Sequence, residues 1–94
     1  MDAAEWVIAW TDLILDSTAL DEAARRRDLD EVRFRACSIA VRARRYAFDE
    51  LSHTAIELMK QVDAEHGPCE LACIRSAENI LRMVDSITRS SRMS

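Results

Sequence analysis

One glycine and one proline occur in 94 residues, and they are adjacent, Gly67 and Pro68. A β-sandwich or barrel needs a turn signal roughly every 8–12 residues, which this chain cannot supply. No run approaches the ~18 apolar residues of a membrane span. "WVIAW" is followed at once by Thr11 and Asp12. The chain begins with Asp2 and Glu5 and lacks the basic region of a signal peptide, so a cytoplasmic protein that does not enter a membrane is expected. The three cysteines are an odd number without framework spacing, and reduced thiols are expected. A Gly-rich phosphate loop is missing, and so is a Ser/His/Asp set. The carboxylates are numerous but scattered. The reading is therefore not an enzyme, with no catalytic residue and no cofactor.

What is plentiful is Ala, Leu, Arg, Glu and Met, all good helix formers. Asp2, with Glu5 three residues on, opens a first helix expected to reach about Arg27. Trp6, Trp10, Leu13, Ser17, Leu20 and Ala24 form its apolar stripe, widened by Val7 and Ile14. Asp16 to Thr18 is its weak point, because short polar side chains compete with the backbone. Arg25 to Arg27 suit a helix C-terminus, and Asp28 with Glu31 repeats the cap pattern. A second helix carries Val32, Ala36, Ile39, Ala43 and Tyr46 on one stripe. A third carries Phe48, Leu51, Ala55, Leu58 and Val62 and ends at "EHGP". A fourth carries Leu71, Ile74, Ala77, Leu81 and Val84. The last residues, 89–94, read as a frayed polar tail.

These features predict one all-α domain over residues 1–94, an antiparallel up-and-down four-helix bundle. "RRYAFDEL" holds neither Gly nor Pro. One long helix from Asp28 to His66, giving three helices and a dimer, is therefore the alternative.

The net charge of −4 is segregated. Residues 1–24 carry six acids and no base, and residues 25–45 carry eight arginines against three acids. A basic belt between acidic segments is a possible nucleic-acid footprint. The favoured reading is helices neutralising one another, because the few aromatics do not interleave with the arginines.

One stretch carries more than composition. "DLDEVRFRA" leads into Ala36-Cys37-Ser38-Ile39-Ala40-Val41-Arg42-Ala43, then Tyr46-Ala47-Phe48, Leu51 and Leu58-Met59. From about Asp28 to Ile87 this pattern resembles the histidine-containing phosphotransfer (HPt) domains of bacterial two-component signalling. The departures fall on the chemical positions. Cys37 stands where the family has its phosphoacceptor His, Ala40 where it has Lys, Val41 where it has Gly, and Ala47 where it has the turn Gly. What is kept are packing residues, which any amphipathic helix would also supply. The resemblance implies an HPt-like bundle that does not carry phosphate. In the family this helix docks the receiver domain of a response regulator, so a receiver domain or histidine kinase is the implied partner.

Phe34, Cys37, Ala40 and Val41 make a second apolar strip on helix 2, bordered by Arg33, Arg44 and Arg45. Arg42 is expected on that border too, and apolar residues edged by Arg suit a protein partner. A homodimer seam is the competing use, in a regulator unrelated to phosphorelays. Cys37 alone is also readable as an ordinary small apolar residue. His66, Cys69 and Cys73 form an H-x2-C-x3-C cluster, but a structural zinc needs a fourth ligand and a tighter spacing, so no metal is expected.

Overall fold

The computed structural model describes residues 3–63 and 70–92, with side chains at 7–62 and 72–89. These residues form four helices: α1 (Ala3–Arg25), α2 (Leu29–Arg45), α3 (Asp49–Asp63) and α4 (Glu70–Arg92). Each helix packs on two neighbours, α1 on α2 and α4, α3 on α2 and α4, and among the described residues no diagonal pair meets. The result is a square four-helix bundle measuring 43 × 19 × 18 Å. None of the described helices is long and apolar enough to cross a membrane.

The core is built from the stripes that periodicity selects. Leu13, Leu20, Val32, Ile39, Leu51, Leu58 and Ile80 are fully buried, with Ala36, Ala43, Ala55 and Ala77 between them. The small alanines let neighbouring helices approach closely. The hydroxyls caught in the core donate to backbone carbonyls, since buried polar groups need a partner. Ser17 Oγ donates to the Ile14 carbonyl at 3.1 Å, and Thr88 Oγ1 donates to that of Val84 at 2.9 Å.

Two three-residue joints reverse the chain, and both use the same hydrogen bonds. After α1, Asp28 N–H donates to the Ala23 carbonyl and Arg27 N–H to that of Ala24. After α2, Phe48 N–H donates to the Ala43 carbonyl at 2.8 Å and Ala47 N–H to that of Arg44. Each is a Schellman-type end with a left-handed residue, Arg27 (φ 61°) or Ala47 (φ 63°). The chain supplies neither position with glycine. Asp28 also caps α2, its side chain accepting from Glu31 N–H at 3.3 Å.

The break at Tyr46–Phe48 replaces the alternative of one continuous helix from Asp28 to His66. Two further expectations change. α1 ends at Arg25, before Arg27, where the left-handed turn begins. Val7 and Ile14 are exposed rather than widening the core stripe. Within the tail, α4 is helical as far as Arg92, and residues 93 and 94 lie outside the described residues.

Candidate partner-binding surface

The outward face of α2 presents Phe34, Cys37 and Val41, spaced three and four apart so that they follow one another along the helix. Phe34 and Val41 are 61% and 63% exposed, and Cys37 is exposed between them. Arg33 and Arg44 lie four residues before and seven after Cys37, in an adjacent row, and Arg45 closes the end. All three are exposed. Arg33 Nη1 lies 3.9 Å from Asp30.

Ala40 does not belong to this surface. It is buried against α3, where Ser52 Oγ donates to its carbonyl at 3.4 Å. It lies at i+3 from Cys37 but rotates toward the α2–α3 seam. The expected strip is therefore one residue narrower.

Beside the strip lies a buried ion cluster that periodicity does not single out. Asp16 of α1 has a side chain only 8% exposed. One oxygen accepts from Arg35 Nη1 at 2.7 Å. The other accepts from Ser38 Oγ at 2.8 Å and from Arg42 Nη1. Arg35 Nε also donates to Glu31 at 2.7 Å, and Arg42 Nη2 lies 3.5 Å from Asp12. The hydrogen bond to Glu31, and then that to Asp16, raise the Arg35 pKa above its ordinary value. The same guanidinium stands 5.5 Å from the centroid of the Phe34 ring. The exposed ring is thus flanked by a cation pinned on its other side to α1. The sequence shows arginines at 35 and 42, seven apart on one face of the basic helix, but not which acid they meet.

The groups this face offers are the Phe34 ring, the Cys37 thiol and the branched Val41, while Ala40 turns inward. His53 is exposed on α3, away from this face. Cys73, by contrast, is buried in α4, and burial pushes its thiol pKa up. His66 and Cys69 lie outside the described residues. Among the described residues, no group of three His, Cys, Asp or Glu is gathered as metal ligands.

No family model, curated protein or solved structure matches this chain.

Proposed function

We propose that this chain is a non-catalytic, HPt-like helical adaptor. It docks a two-component signalling partner, a receiver domain or histidine kinase, through the outward face of α2 and carries no phosphate. The observation that supports this most is the exposed Phe34–Cys37–Val41 strip, centred on the residue that aligns with the family's phosphoacceptor. An aromatic anchor flanked by a pinned arginine costs little entropy to order on binding. Arg33, Arg44 and Arg45 add positive charge at the rim, which suits an acidic partner surface.

The test uses a receiver domain and a histidine kinase as probes, with labelled phosphate. The expected result is a complex with one of them and no acid-labile label on this protein. Phe34→Ala should weaken that complex by at least about tenfold. Label on the chain overturns the non-catalytic reading. Absence of any complex, or one insensitive to Phe34→Ala, overturns the docking reading.

A further inference from the structure

α1, like α2, is apolar on both sides, and its outer face carries four large aliphatic side chains. Its inner stripe fills the core, yet its outward face from 7 to 18 carries no charge. Val7, Ile8, Thr11, Ile14, Leu15 and Thr18 occupy that face, in three adjacent rows of residues seven apart. All six are exposed, Ile8 to 61% and Leu15 to 60%. A surface helix normally turns charged residues to water here.

We infer that this face pairs with the same face of a second copy, α1 against α1 in antiparallel register about Thr11. The pattern is self-complementary about that residue. Positions equidistant from Thr11 are apolar on both sides, so a two-fold axis there sets Val7 against the partner's Leu15 and Ile8 against the partner's Ile14. This is the isologous arrangement of a C2 dimer. Thr11 itself tolerates being covered, because its Oγ1 already donates to the Val7 carbonyl at 2.9 Å.

The flanking charges favour a like copy. Asp12 and Asp16 are engaged by Arg42 and Arg35 of the same chain, and Asp21 by Arg25 at 3.1 Å. Over residues 7 to 21 the two α1 helices therefore meet without setting unneutralised acids against each other, and Glu22 lies exposed beyond the paired stretch. An anionic membrane is a poor alternative occupant, since the polar flank of α1 is acidic and interfacial helices are Lys/Arg-rich. The four aliphatic side chains expose on the order of 400 Å², a patch size that marks interaction sites. Doubled, and joined by its rim, it reaches roughly 1,000 Å², the low end for a specific interface. An interface of this size is weak, so the dimer is reversible. It uses α1 and leaves the α2 strip uncovered, so it stands or falls independently of the adaptor reading.

Sedimentation equilibrium of the full chain from about 5 to 500 µM is the first test. A monomer–dimer equilibrium is expected, from the 10.7 kDa chain to its dimer. Leu15→Glu and Ile8→Glu should each weaken it at least ~100-fold with helical circular dichroism unchanged. Phe34→Glu should leave it unaltered. The register is read by cross-linking Thr11→Cys in a chain whose Cys37 and Cys69 are serine. Position 11 should oxidise to a covalent dimer, while Thr18→Cys, roughly 20 Å from its symmetry mate, should not. A monomer throughout, a dimer lost only with Phe34→Glu, or faster cross-linking at 18 than at 11 overturns the inference.

Discussion

Asp16 is the residue on which the α1–α2 contact turns. Its carboxylate, nearly excluded from water, accepts from two arginines and a serine of α2. Asp16→Ala removes three hydrogen bonds to a charged group and leaves Arg35 and Arg42, each about a third exposed, to be partly rehydrated. It should therefore lower unfolding free energy by about 2 kcal/mol in urea titration. The comparison is Asp12→Ala, whose carboxylate is far more exposed and lies 3.5 Å from Arg42. That change should stay within ~1 kcal/mol, as surface pairs do. The cluster was not legible in the amino-acid pattern. An aspartate amid "DST" reads as a weak point of a helix, and only the rotation of α2 against α1 turns it into a hub.

At the scale of the element, the break between α2 and α3 carries the unusual chemistry. "RRYAF" has no breaker, so local preference alone does not choose between a turn and a continuous helix. The turn is made with Ala47 at φ 63°, where a Cβ is unfavourable and glycine is free of the penalty. Ala47→Gly should raise stability by about 1 kcal/mol, seen as a higher urea midpoint at unchanged slope. In a continuous helix the same change would lower stability by a similar amount. The sign therefore tests the break directly. What forces the turn is burial: folding back lets Leu51, Ala55 and Leu58 meet the face of α2 that bears Ala36, Ile39 and Ala43.

For the whole molecule, the pattern of neighbours matters more than any one contact. Three of the four helix pairings join elements consecutive in the chain, and only α1 with α4 closes the ring. Such local topology lowers the loop-closure cost of reaching the transition state. Refolding from urea should complete within about 10 ms in stopped-flow, with a single transition at equilibrium. Segregated charge serves the same assembly. The acidic α1 lies against the basic α2, and Arg25 reaches Glu78 of α4 at 2.7 Å.

The all-α class and most of the core stripes were determined by the sequence alone, because periodicity of 3.6 and the scarcity of turn residues depend only on order along the chain, whereas the number of helices was not. The second apolar strip of α2 was legible in the same way, but the exposure of Phe34, Cys37 and Val41 was not. Tertiary structure decided the rest. It buried Ala40 under α3, gathered Arg35, Arg42 and Ser38 around Asp16, and left Val7, Ile8, Ile14 and Leu15 of α1 facing outward. An apolar residue on a helix records only that it prefers to leave water. Which of two apolar faces is covered depends on how the other helices rotate to close the core, and that is set by packing between segments far apart in the chain.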